Sequence, residues 1–167
     1  MRTINNGDFG MFFGVYVFGV YGDDATLNLR VKDSETSYNR LSGFYIQSFG
    51  SIDFEVEGFF NSRYNGGSGM YFENYNLLEG EMKVKGVVNI YKNKYYGLRM
   101  ADTAVNVVVD KGGALNSCRN GFEDIYNGGS GTFSGDGYTC GTGSNSGTGP
   151  SGANLPVCKA CPSCPSE

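Results

Sequence analysis

One asparagine returns at nearly even intervals along this chain. Asn39, Asn65, Asn93 and Asn120 are separated by 26, 28 and 27 residues, and Asn6 stands 33 residues before the first of them. A period of this length must be identified before any other feature, because it decides between a stacked repeat and an ordinary globular fold. Three of the copies read Asn61-Ser-Arg-Tyr-Asn65, Asn89-Ile-Tyr-Lys-Asn93 and Asn116-Ser-Cys-Arg-Asn120, with a weaker one at Glu35-Thr-Ser-Tyr-Asn39.

The flanks repeat as well. Gly10, Gly43, Gly69 and Gly97 each lie four residues after an Asn and open a short apolar stretch, such as Phe44-Tyr45-Ile46 or Met70-Tyr71-Phe72. The copy at Asn120 reads as compressed, with Gly121 directly after it. Before each Asn, apolar and polar residues alternate: Leu27, Leu29 and Val31, then Ile52, Phe54 and Val56, then Met82 and Val84, then Val105, Val107 and Val109. Alternation at period two places one face inward and one outward on a strand.

Each unit therefore predicts a strand, a corner, a short strand, an Asn corner and a Gly-led strand. That is the length of one turn of a parallel β-helix, in which each strand pairs with its counterpart about 4.8 Å away. The reading is an all-β parallel β-helix (solenoid) of four to five coils over residues 1–131, followed by a Gly/Ser-rich linker and Cys-rich tail over 132–167. At the corners, Asn is expected to supply left-handed backbone and Gly positive φ or close approach. An antiparallel meander of short strands is the competing topology.

Composition narrows the function classes. The 27 glycines among 167 residues, with 12 Tyr and 12 Phe, disfavour helices and suit strands broken by turns. The net charge is −4 with scattered cations, so no basic stripe exists for nucleic acid. The apolar stretch Met11–Tyr21, interrupted by Gly14 and Gly19, is too short to span a bilayer as a helix. It also lacks signal-peptide features, so a secreted origin would make this chain a mature form or a fragment. Histidine is absent, which removes the commonest general base and the commonest zinc ligand. No catalytic residue, metal or cofactor is expected. The loops Gly66-Gly-Ser-Gly69 and Gly128-Gly-Ser-Gly131 lack the Lys and Ser or Thr of a phosphate loop and read as corners.

The Asn-x-x-x-Gly pattern followed by alternating apolar residues resembles the right-handed parallel β-helices of the pectin-lyase-like superfamily over roughly residues 5 to 131. The resemblance implies a secreted or cell-surface protein in contact with polysaccharide or other matrix. Hydrolases of that superfamily use an Asp-Asp pair after Gly with a partner His-Gly. Gly22-Asp23-Asp24 matches the first element only. A turn accounts for it, and Asp23 and Asp24 remain candidates for ligand binding rather than catalysis. Tyr45 and Tyr71 should face outward at equivalent positions, where they could stack on sugar rings or on each other.

Cys118, Cys140, Cys158, Cys161 and Cys164 suit disulfides in an extracellular protein. A Cys118–Cys140 bridge would staple the final coil, while Cys-x-x-Cys-x-x-Cys with Cys140 could instead bind zinc. Nothing caps the N-terminal coil, so its open edge is a place for another protein chain to pair. The expected function is a structural or adhesive extracellular solenoid, with carbohydrate binding or degradation as the alternative.

Overall fold

The computed structural model describes residues 1–15, 26–48, 50–74, 79–141 and 151–161. Among these every element is a β-strand and every strand pairing is parallel, which removes the meander. The protein is a parallel β-solenoid of about four turns.

One sheet stacks β2 (Met11–Val15), β4 (Phe44–Ser48), β6 (Met70–Asn74), β9 (Leu98–Ala101), β12 (Ile125–Asn127) and β15 (Ser151–Gly152), in that spatial order. The second sheet begins with β1 (Arg2–Ile4), β3 (Thr26–Ser37) and the 13-residue β5 (Ser51–Arg63). Beyond β5 it divides. β7 (Glu79–Val84), β10 (Ala104–Val109) and β13 (Phe133–Ser134) continue its first half, while β8 (Val87–Tyr91), β11 (Ala114–Cys118) and β14 (Tyr138–Cys140) continue its second. The division follows a bend already present in the long strands. β3 carries an irregularity between Lys32 and Ser34 with Asp33 at φ 45°, and β5 has Gly58 at φ 65°. The Asp33 carboxylate accepts a hydrogen bond from Phe59 N at 3.2 Å, which fixes the bend across two turns. Each turn thus has three strand faces, as the repeat length requires. The stacked strands run past residue 131, because β13, β14 and β15 add to the same two sheets.

The alternation seen in sequence is the inward face. Leu29, Phe54, Met82, Val107 and Phe133 form one column, and Met11, Phe44, Met70, Leu98 and Ile125 another. Four phenylalanines fill the middle turns. Phe44 stacks on Phe54 at 4.9 Å and meets Phe60 edge-on at 5.6 Å, and Phe72 lies 5.8 Å from Phe54.

The Asn corners differ from expectation in one respect. The left-handed residue is the one before the Asn: Asn5, Tyr38, Tyr64, Lys92 and Arg119 have φ between 54° and 59°. The recurring Asn has ordinary backbone angles and turns its side chain inward. Gly43, Gly69 and Gly97 are not needed for positive φ either. A Cβ on Gly97 would lie 1.9 Å from Ser117 Oγ and 2.6 Å from Asn120 Nδ2, so the column of glycines makes room for the buried asparagines. Register also corrects the last copy. Leu98 pairs with Ile125, so Asp124 rather than Gly121 occupies the glycine column, and the spacing is not compressed.

The tail returns to the stack. Lys159 N donates to Tyr138 O at 3.0 Å and Cys140 N donates to Lys159 O at 3.1 Å. Cysteine pairing differs from the expected Cys118–Cys140 staple. Cys118 joins Cys161 with Cα atoms 6.0 Å apart, and Cys140 joins Cys158 at 5.4 Å. Both bonds tie the tail to the final turns, because Cys118 and Cys140 sit on adjacent strands whose side chains alternate in direction. Cys164 lies outside the described residues.

Candidate functional site

The recurring asparagines form a continuous internal ladder. Asn39 N and Nδ2 both donate to Asn65 Oδ1, at 3.1 and 2.8 Å. Asn65 repeats this toward Asn93, and Asn93 toward Asn120. Each Nδ2 also reaches a backbone carbonyl one turn back, as Asn65 does to Thr36 O at 3.2 Å. Every amide in the column is thereby satisfied without water, which is what allows a polar side chain to be buried.

A ladder of this polarity needs a pure acceptor where it stops. Asp124, 1% exposed, supplies it: Oδ1 accepts from Asn120 N and Nδ2 at 3.1 and 2.9 Å, and Oδ2 accepts from Gly141 N at 3.0 Å. Burial pushes the Asp124 carboxyl above its ordinary range, and the donors from Asn120 and Gly141 oppose that rise. The other end is different. Asn6 N donates to Asn39 Oδ1 at 3.1 Å, but Asn6 itself is exposed.

The first Asn of each sequence copy builds a second ladder on the outer surface. Asn116 Nδ2 donates to Asn89 Oδ1 and Asn89 Nδ2 to Asn61 Oδ1, both at 2.9 Å. Glu35 continues this column toward the first turn. Its Oε1 accepts from Arg63 Nε and Nη2 at 3.1 and 2.9 Å, and its Oε2 from Arg2 Nε and Nη2 at the same distances. Burial works to raise the Glu35 carboxyl, and the two arginines and Ser37 outweigh it, holding the group below its ordinary value. This cluster joins three successive turns.

Tyr45 and Tyr71 occupy one outward column, as the alternation requires. Phe9 stacks on Tyr45 at 4.8 Å, Tyr45 on Tyr71 at 4.9 Å, and the Arg99 guanidinium lies 4.5 Å from the Tyr71 ring centre. Tyr45 is only 9% exposed and its hydroxyl donates to Glu73. The ring faces are occupied by neighbouring turns, so the column presents edges to solvent. Arg99 takes the place of an aromatic in the next turn and carries the column on by lying 5.2 Å from Tyr96.

A groove of about 560 Å³ runs across the first half of the second sheet. Asn28, Asp53, Glu81, Arg30, Glu55 and Lys83 line its outer surface. Arg30 and Lys85 both pair with Glu55, at 2.9 and 2.6 Å, and Lys83 with Glu81 at 2.9 Å. The lining carries three carboxylates, Asp53, Glu55 and Glu81, against two cations, Arg30 and Lys83, with Leu29 and Phe54 between them. Asp23 and Asp24 lie outside the described residues, and among the described residues no group of three His, Cys, Asp or Glu is placed to hold a metal ion.

Sequence reasoning found the columns but not how they end. Asp124 was visible four residues after Asn120, where the other copies have Gly, and that departure was the signal for the cap. No family model matches the chain, and no curated protein or solved structure matches it either. The class that the fold defines is the parallel β-solenoid alone.

Proposed function

We propose that this protein is a non-catalytic structural subunit of an extracellular assembly, and that it joins another protein chain through its first turn. The observation that carries the reading is the contrast between the two ends of the stack. At the far end Asp124 closes the Asn ladder, and two disulfides hold the tail against β11 and β14. At the near end, among the described residues, β1 pairs only with β3 and β2 only with β4. Their other edges offer backbone donors and acceptors to an incoming strand. The two disulfides suit a secreted or cell-surface location, which the pectin-lyase-like resemblance also implies.

Ile4 provides the test. Asn5 N points to β3, where it donates to Ser37 O, so Ile4 N points to the open edge. Ile4→Pro removes an edge donor while leaving the β1–β3 bonds in place. Sedimentation velocity should show concentration-dependent association for the wild type and its loss in Ile4→Pro. A wild-type chain that stays monomeric and captures no partner chain through this edge would refute the proposal.

Carbohydrate binding is the second reading, favoured by the polar groove at Asn28, Arg30, Asp53 and Lys83. Tyr45, Tyr71, Asp23 and Asp24 remain its other candidate contacts. Retention on acidic polysaccharide that Arg30→Ala and Lys83→Ala weaken would support it, and retention unchanged by both would remove the groove from consideration.

A further inference from the structure

Four asparagines of the chain are followed directly by glycine: Asn6, Asn65, Asn120 and Asn127. At such a step the next backbone nitrogen can attack the side-chain amide carbon, since glycine has no Cβ to obstruct it. The new N–Cγ bond closes a five-membered succinimide and ammonia leaves. Water then opens the ring at either carbonyl, giving aspartate or isoaspartate. The reaction requires only water, a mobile Gly nitrogen and a mobile Asn amide.

Three of the four steps are immobilised. Gly66 N donates to Asn39 O at 2.8 Å, Gly121 N to Asn93 O at 2.9 Å and Gly128 N to Met100 O at 2.8 Å. Their asparagine amides are equally fixed: Asn65 to Asn93, Asn120 to Asp124, and Asn127 to Gly131 O and Ala153 O. All three side chains are at most 2% exposed. In each case the hydrogen bond that holds the glycine nitrogen comes from the preceding turn.

Gly7 belongs to the first turn. Among the described residues its nitrogen has no such partner, and a Cβ placed on it would meet nothing within 4 Å. Asn6 is exposed, and its Nδ2 makes one long contact, 3.5 Å to Phe9 O. We infer that Asn6 is a site of spontaneous covalent modification, deamidating through Gly7 while the stack protects Asn65, Asn120 and Asn127. The product sets a carboxylate in the first turn, on the residue whose backbone nitrogen donates to Asn39 Oδ1, and in the isoaspartate form lengthens the backbone between β1 and β2. The first turn thus carries a slow chemical mark that the inner turns acquire only after local opening.

The test is peptide mapping by mass spectrometry after incubating the folded, full chain at mildly alkaline pH, with the urea-unfolded chain as reference. All four sites should react when unfolded. In the folded chain Asn6 should keep a similar rate while the other three slow by at least about tenfold, since they react only after local opening. Running Ile4→Pro alongside separates protection by association from protection within one chain. Gly7→Ala, which the open space accommodates, should slow Asn6 in both states. Slow conversion of Asn6 in both the wild type and Ile4→Pro would overturn the inference. Inner sites reacting as fast as Asn6, or a rate insensitive to Gly7→Ala, would do the same.

Discussion

At the residue scale, the recurring Asn exchanges one cost for several hydrogen bonds. A non-glycine residue in the left-handed region is disfavoured by about 1–2 kcal/mol, and one such residue precedes every ladder Asn. The ladder offsets this by satisfying a backbone N–H and a side-chain amide at each corner. Asn93→Ala would strip the acceptor from Asn65 N and Nδ2 and a donor from Asn120, a loss of about 3 kcal/mol. Arg119→Gly relieves the left-handed strain and should be neutral or mildly stabilising, by up to about 1 kcal/mol. Urea unfolding of the two variants measures both; equal destabilisation would mean that backbone conformation, rather than the amide ladder, sets the corner. The period of the Asn was legible in sequence because identical environments select identical residues. Its role was not: Asn favours both left-handed backbone and buried amide networks, and only the register separates the two.

At the element scale, the long strand β5 does most to unify the stack, because it pairs with β3 on one side and with both β7 and β8 on the other. Phe54 and Phe60 on this strand are at most 1% exposed and pack on Phe44 from the other sheet. Phe54→Ala should cost about 3–5 kcal/mol, read from the denaturation midpoint. The apolar alternation made Phe54 and Phe44 readable as core, but not Phe60, which lies beyond the bend in β5. The bend at Asp33 and Gly58 was not readable, since a bulge shifts register without interrupting an apolar pattern.

Glu35 gives these strands a pH dependence. Its folded-state pKa is held below the ordinary 4.5, so its stabilisation is present above that value and is lost as pH falls through the lowered one. Asp124 works in the opposite sense: its pKa is raised, so holding it charged grows more costly as pH rises through the raised value. Glu35→Gln should therefore cost about 1 kcal/mol near neutral pH, discounted for the exposed Arg2, and should flatten the acid limb below pH 4.5. Parallel stability–pH curves for wild type and variant would exclude the arginine cluster as its origin.

At the scale of the whole molecule, the two ends differ more than any two turns do. Reducing Cys118–Cys161 and Cys140–Cys158 should free the tail and lower stability by about 2–4 kcal/mol per bond. Thermal unfolding with and without a dithiol reductant checks this, and an unchanged midpoint would mean that the tail contributes nothing to the stack. Composition reads residues 132–167 as linker and tail, since glycine-dense polar segments resemble linker. It did not show that β13 and β14 still belong to the sheet, because two- and three-residue strands leave too short a pattern to see.

Everything rests on equivalent residues lying over one another in parallel register. Nuclear Overhauser contacts between backbone protons test this most directly. Phe54 should contact Met82, Tyr45 should contact Tyr71, and Met70 should contact Leu98, through Hα–HN pairs. Strong Hα–Hα contacts between neighbouring strands, the mark of antiparallel pairing, would contradict the account.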